Sequence, residues 1–273
     1  MMQDHRTKSE LELEIERRWR EKLLRVATAE EFQQAYDELH ALFLKEQECP
    51  GQIYAQVNPR GMDRARRLIL RKVGQGQRVL EVGSGDGETS RLLARQGNAV
   101  VSIDISRVAL ETARKRVAGE GLDLRYEYGD ARALNFASDT FDYVVSEHFV
   151  EHLSPSDLLV HLTEVQRVLR KGGCYLISTP SRLWNGRRSV GFHLRVYTLE
   201  ELCQVVEQAG FAVTWLEPRF LRRLGFVIAL KKPLLWPVFL WERLLDAIRI
   251  YKWPPGIRSR LIPSVIVCAS KRN

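Results

Sequence analysis

The chain has 273 residues, 45% apolar and 28% charged, enough for one large α/β domain with additions or for two small domains. No run of about 18 uncharged apolar residues occurs, which excludes a membrane-spanning helix read from sequence, and the polar, acidic opening Met1–Glu16 has no apolar core, so no secretory signal is expected. The net charge of +8 lies in one place: residues 219–260 hold ten Lys/Arg against Glu242 and Asp246, and the rest of the chain balances 32 bases with 32 acids.

Residues from Ser9 to Glu48 read as helical, with apolar positions such as Leu24, Phe32, Tyr36, Leu39 and Phe43 at helical spacing; Cys49-Pro50-Gly51 stops them. Asp63–Val73 reads as a further helix. Short β-branched runs then alternate with helical stretches. The strands are Arg78–Gly83, Ala99–Ile105, Leu124–Gly129, Phe141–Ser146, Cys174–Thr179, Ala212–Glu217 and Ser264–Ala269. The intervening helices are Thr89–Gln96, Arg107–Ala118, Ser156–Arg170 and Leu199–Ala209. This alternation predicts an α/β fold with a doubly wound, mostly parallel sheet. Its ligand is expected outside the carboxyl ends of the strands. Residues 1–73 read as an N-terminal helical extension and 74–273 as the α/β domain, with 219–260 inserted before the last strand. The four cysteines (Cys49, Cys174, Cys203, Cys268) lack metal-ligand spacing. They are expected as free thiols in a reducing, cytoplasmic compartment.

Val79–Val82 runs directly into Gly83-Ser84-Gly85-Asp86-Gly87 and a helix. Glycine suits such a turn because the backbone takes unusual dihedrals and a ligand approaches it closely. Asp104-Ile105 ends the next strand, where a carboxylate accepts hydrogen bonds from ribose hydroxyls. Asp130-Ala131 follows the third strand, within reach of an adenine. Lys171-Gly172-Gly173 precedes the fifth.

In this order the motifs resemble the class I S-adenosylmethionine (SAM)-dependent methyltransferases, from about Arg78 to Phe211. The resemblance implies a seven-stranded sheet with an antiparallel last strand. It also implies SAM held by Glu81, Gly83, Ser84, Gly85, Gly87, Asp104, Ile105, Asp130, Ala131 and Glu147. A dinucleotide-dependent oxidoreductase is the rival of the same fold class. Its pyrophosphate sits poorly beside Asp86 and Glu88 at a helix N-terminus.

After the fourth strand comes Ser146-Glu147-His148-Phe149-Val150-Glu151-His152. The ubiquinone-biosynthesis O-methyltransferases, which this segment resembles, carry Glu-x-x-Glu-His here. That run implies a divalent metal; Glu151 and His152 match it, and His148 replaces its first Glu. On the residues alone His148, Glu151, His152 and His193 are candidates for acid–base work on an acceptor, and no metal set is assigned. The Asn/Asp-Pro-Pro-aromatic motif of adenine N-methylation is absent. An RNA-directed methyltransferase is the alternative, and a SAM-binding scaffold without turnover the competing non-enzyme class. Arg182, Trp184, His193, Arg195 and Tyr197 are expected to line an acceptor pocket, and Thr198 with Glu201 to form a capping box.

The insert is basic and holds Trp236, Trp241 and Trp253. Glu242, Arg243, Asp246, Arg249 and Lys252 trace one narrow polar stripe on an otherwise apolar helix. Trp, Leu and clustered bases suit an element lying on an anionic membrane, which makes a peripheral membrane location an expectation. A lid or a dimer face would use the same pattern; nucleic acid ranks third because the aromatics sit on an apolar face. The expected reaction is O-methylation of a small, glycan-like or lipid-linked acceptor.

Overall fold

The run Val79–Val82 is apolar except at Glu81, and such a strand is stable only where both faces are covered. It lies inside a seven-stranded sheet, paired with a strand on each side, in a computed structural model that describes residues 8–26, 28–48, 59–185, 193–216, 236–248 and 265–272. The strands are β1 (Arg78–Val82), β2 (Ala99–Asp104), β3 (Leu124–Tyr128), β4 (Phe141–Glu147), β5 (Leu169–Thr179), β6 (Phe211–Leu216) and β7 (Val265–Lys271). Their order is β3-β2-β1-β4-β5-β7-β6, with β7 antiparallel to both neighbours and the first five parallel. The chain runs outward from β1 to β3 and then jumps back to β4. The switch point therefore falls between the ends of β1 and β4, which is where the Gly-rich turn and the His/Glu segment lie.

Side chains alternate across the sheet with the strand period of two. Leu80, Val82, Ile103, Val144 and Ile177 face one side, covered by α6 (Pro155–Val168) and α8 (Leu199–Gln208). Val79, Val100, Val145, Leu176 and Cys268 face the other, covered by α3 (Pro59–Val73) and α4 (Glu88–Arg95). Next to β3, α5 (Arg107–Val117) packs Leu110 and Ala113 on Tyr126. Helices α1 (Lys8–Arg25) and α2 (Ala29–Glu48) form their own cluster from Trp19, Leu23, Ala35, Tyr36 and Leu39, against which Ile105 and Leu194 pack. No helix of the described residues is long and apolar enough to cross a membrane.

Helix starts follow local chemistry. The Ser106 hydroxyl accepts from the Ala109 amide, and Ser154 accepts from Asp157 with Pro155 at the first helical position. Thr198 and Glu201 form the expected reciprocal box. Helix α6 stops earlier than its periodicity predicts, and β5 starts earlier. Leu169 pairs with Phe141, while Tyr143 pairs with Cys174, so Arg170–Gly173 bulge out opposite Asp142. The Arg170 guanidinium lies 2.6 Å from Asp142 there, and a side chain at Gly173 would strike backbone oxygens of Arg170 and Asp142. The bulge therefore requires the Gly-Gly pair. A short helix, α7 (Arg182–Asn185), and a bridge between Ser181 and Tyr197 were not anticipated from sequence. The last helix is α9 (Trp236–Ala247). Of the expected insert, Arg222, Arg223, Lys231, Lys232, Arg249, Tyr251, Lys252 and Trp253 lie outside the described residues.

A fully buried chain of polar groups ties α6 to the sheet. His161 Nδ1 lies 3.0 Å from the Ala131 carbonyl oxygen, which can only accept, so Nδ1 carries the proton. His161 Nε2 then accepts from the Tyr175 hydroxyl at 2.9 Å, and that hydroxyl accepts from Ser146 at 2.8 Å. Burial drives the His161 imidazole down from 6.5 to about 4. Folding therefore favours the neutral ring, and stability from this group is present above about pH 6.5 and lost as pH falls toward 4. Urea melts should show this loss with a slope approaching about 1.4 kcal/mol per pH unit, and His161→Gln should flatten it. In the Gly-rich turn, Gly87 has φ +75°, and an added Cβ would come within 2.5 Å of the Tyr126 hydroxyl and 2.6 Å of Ala113. Gly87→Ala is expected to lower the urea midpoint, at a cost of about 1–3 kcal/mol.

Candidate functional site

Val82 ends β1, and the next two amides, Gly83 and Ser84, both donate to the Ile103 carbonyl at the end of β2. This pins the turn against the neighbouring strand end. Gly83 has φ +79°, and a Cβ there would lie 2.7 Å from the Phe149 ring, so the ring of the segment after β4 sits directly on the turn. Asp104, buried at the end of β2, accepts from the Gly85 amide (3.0 Å) and the Ser106 amide (2.8 Å). Each oxygen keeps a lone pair for a ligand hydroxyl.

Around this cradle the expected residues fall into distinct settings. Asp130 is clasped by Arg132 through both carboxylate oxygens, at 2.7 and 3.0 Å. Burial pushes its carboxyl up, but the Arg132 hydrogen bonds and charge outweigh burial and hold it below the usual range. Ala131 is buried beside it, with its carbonyl on His161. Glu81 lies wholly buried, accepting from Ser102 at 2.6 Å; burial, only partly offset by that bond, raises its carboxyl to about 8. Glu147 accepts from Thr89 at 2.5 Å and from Arg66 of α3 at 3.2 Å, leaving Oε1 without a partner.

After β4 the backbone is strained. His148 has φ +54°, a left-handed value unusual for a non-glycine residue, and its amide is fixed by the Ser178 carbonyl at 2.8 Å. This turns the chain so that Glu151, fully buried, faces back toward His148. Glu151 Oε2 accepts from the Thr179 hydroxyl (2.8 Å), while Oε1 lies 3.4 Å from His148 Nδ1 and 3.9 Å from His193 Nε2. The Glu151 carbonyl accepts from the Leu194 and Arg195 amides, which brings in the 193–195 segment. Burial would raise the Glu151 carboxyl; the His148 contact and the surrounding histidines outweigh it and hold it at about 2. For His148 burial lowers the imidazole, but Glu151 outweighs it and the ring is more basic than usual. His193 goes the other way, to about 4, because burial dominates. His152 stacks edge-on against His193 at 5.1 Å.

The roof of the site was missed in the sequence. Helix α2 is fastened by Asp37, which accepts from the Ser106 hydroxyl (2.7 Å) and the Val108 amide (3.1 Å) at the start of α5. This sets Tyr36 edge-on to His152 at 6.0 Å and Phe32 beneath the Arg132 guanidinium at 5.0 Å. Burial, with the charges of Asp104 and Glu151, raises the Tyr36 phenol strongly, so it is a hydrogen-bond donor. The only signal was the Phe32/Tyr36 spacing, which a helical core residue gives equally well.

Other expected pocket residues are engaged elsewhere. Arg182 pairs with Glu201 at 2.5 Å and Asp246 at 3.5 Å, and Tyr197 is buried. Arg195 lies over the Tyr197 ring. The Trp184 side chain lies outside the described residues.

Among the described residues, the buried side-chain atoms without a hydrogen-bond partner are Tyr36 Oη, Ser84 Oγ, Glu147 Oε1, Glu151 Oε1, Arg182 Nε, His193 Nδ1 and Tyr197 Oη. Buried polar atoms are rarely left unpaired. Five of the seven (Tyr36, Ser84, Glu147, Glu151 and His193) surround the cradle at the ends of β1, β2 and β4. That is a site built to receive a polar ligand.

Residues 79–173 match the methyltransferase domain family. The chain is 32% identical over 176 residues to a ubiquinone biosynthesis O-methyltransferase of Ruegeria sp., covering 59% of this chain and 66% of that one. Residues 79–173 thus carry a methyltransferase domain. A second ubiquinone biosynthesis O-methyltransferase, from Dinoroseobacter shibae, is 33% identical over 46% of this chain and 54% of its own. The chain thus spans between half and two thirds of the length of these curated relatives. Among solved structures it is similar in fold to phosphoethanolamine N-methyltransferase 2 of Haemonchus contortus in complex with SAM, with TM-score 0.61 at 20% identity over 91% of this chain and 61% of that one. It is also similar to the [4+2]-cyclase SpnF, with TM-score 0.62 at 19% identity over 90% and 97%. These two likenesses concern fold alone.

The cradle fits SAM. Asp104 would hold the ribose hydroxyls, Ile105 and Ala131 would flank the base, and the unpaired atoms of Ser84 and Glu147 would meet the amino-acid end. Asp104→Ala should weaken SAM binding by about 1–3 kcal/mol in a calorimetric titration. Asp104→Asn, which keeps an acceptor for the turn amides, should weaken it less.

Proposed function

We propose that the methyltransferase transfers the methyl group of SAM to a hydroxyl oxygen of a small, glycan-like or lipid-linked acceptor. When bound, the donor supplies an electrophilic methyl on a sulfonium, so catalysis rests on alignment and on the nucleophile's proton. The observation that carries the reading is the His148–Glu151 pair at the end of β4. A buried, ionised carboxylate lies 3.4 Å from Nδ1 of a basic imidazole, close enough to favour its charged form, and Nε2 is the nitrogen proposed to take a proton from an acceptor hydroxyl. Glu151 stays charged throughout and stabilises the imidazolium that forms. Tyr36, whose unpaired hydroxyl is free to donate to a bound ligand, and Phe149, resting on Gly83, would border the reacting atoms. The named chemistry of the two curated relatives supports oxygen as the acceptor atom.

A second reading has one observation behind it. Ligand atoms of Glu151, His152 and His193 all lie within 4.8 Å of one another, a spacing that a divalent cation could bridge. The cation would then lower the hydroxyl's pKa in place of the imidazole. Full turnover after chelation favours the imidazole, and loss restored by one added metal favours the cation.

An acceptor screen reading out S-adenosylhomocysteine tests the reaction itself. With a turned-over acceptor, His148→Gly and Glu151→Gln should each lower kcat by about 10²–10⁴. Glycine relieves the left-handed strain at 148, so that variant should keep its stability within about 1 kcal/mol. A large loss of stability with little loss of rate would mark His148 as structural instead.

A further inference from the structure

Helix α9 is mounted against its own sequence pattern. Its two acids point into the protein: Glu242, 1% exposed, accepts from the Leu199 and Glu200 amides at 3.0 and 3.1 Å, and Asp246 meets Arg182. Glu242 thereby satisfies amide donors at the start of α8 that lack intrahelical partners. Val238 and Leu245 fill the inner face beside it. The two acids of the polar stripe read from the sequence thus lie on the docked side, Arg243 of the same stripe stays exposed, and three large apolar residues are left outside. Leu240, Leu244 and Ile248 are 53%, 49% and 42% exposed. Spaced by four, they form one ridge about 12 Å long.

We propose that this ridge docks the protein on an anionic phospholipid surface. Charge decides the occupant. Residues 219–260 supply ten bases and only these two acids, and both acids are withdrawn from the ridge into internal contacts. The helix leaves an apolar ridge, and the sequence on either side of it carries nine of the ten bases, the pairing that binds acidic lipid headgroups over a shallow apolar insertion. A protein partner of matching apolar shape would not require the +8 excess. The docked side of α9 is tied to the elements that carry the site. Through Glu242 and Arg182, α9 holds the start of α8 and the Ser181–Tyr197 junction, which leads into the 193–195 segment on Glu151. The surface is independent of the chemistry proposed above.

The test is co-sedimentation of the full chain with vesicles of phosphatidylcholine alone and of phosphatidylcholine containing about one third phosphatidylglycerol. The protein should pellet with the anionic vesicles, remain in the supernatant with the neutral ones, and be released as salt is raised. Combined Leu240→Gln, Leu244→Gln and Ile248→Gln should weaken binding at least about tenfold, with the melting curve and SAM affinity unchanged. Equal recovery in the supernatant with both vesicle types overturns the proposal, as does equal pelleting with both. So does a triple variant that binds like the parent. If the parent is a dimer in sedimentation velocity and the triple variant a monomer, the ridge is a self-association face and the proposal also fails.

Discussion

One buried charge organises the catalytic face. An ionised carboxylate removed from water is costly unless neighbours replace its hydration, and Glu151 obtains those neighbours from three chain segments. Thr179 comes from the end of β5, His148 from the turn after β4, and His193 from the segment leading toward α8. Its own carbonyl binds two amides of that last segment. The strained backbone at His148 persists because these contacts over-determine it. Remove the charge, and three loops lose their common point of attachment. The sheet places those loops at one edge, and Glu151 makes them into a site.

Much of the scaffold was legible because it follows from local rules. Strand and helix alternate with the right periods, Gly-rich chain follows a buried strand, and Thr198 with Glu201 announces a helix start. The early start of β5 was not legible, because the helical pattern of 156–170 continues into residues that pair with Phe141. Tertiary hydrogen bonding overrode local preference there. Tyr36 was hidden for a different reason: an aromatic at helical spacing looks the same whether it covers a core or a ligand.

Two electrostatic inferences fared differently once the chain folded. Asp86 and Glu88 were expected to repel an anion at the first turn of α4, but Arg116 binds both and Arg91 pairs with Glu88, so their field is largely cancelled. The preference for a sulfonium donor thus rests on the cradle and not on those carboxylates. In α9 the apolar residues Val238 and Leu245 face the protein as expected, yet Glu242 of the polar stripe is buried beside them while Leu240 and Leu244 stay exposed. The unsatisfied amides of α8 select Glu242 for the inside, which a hydropathy pattern cannot reveal.

The contact between Gly83 and Phe149 has a consequence for how such a chain can drift. The donor turn and the acceptor loop touch where no side chain fits at position 83. Enlarging one partner is tolerable only if the other shrinks, and the left-handed backbone at 83 resists even that exchange. Two places far apart along the chain are thereby inherited as a unit, and diversification toward new acceptors is pushed outward, to the rim.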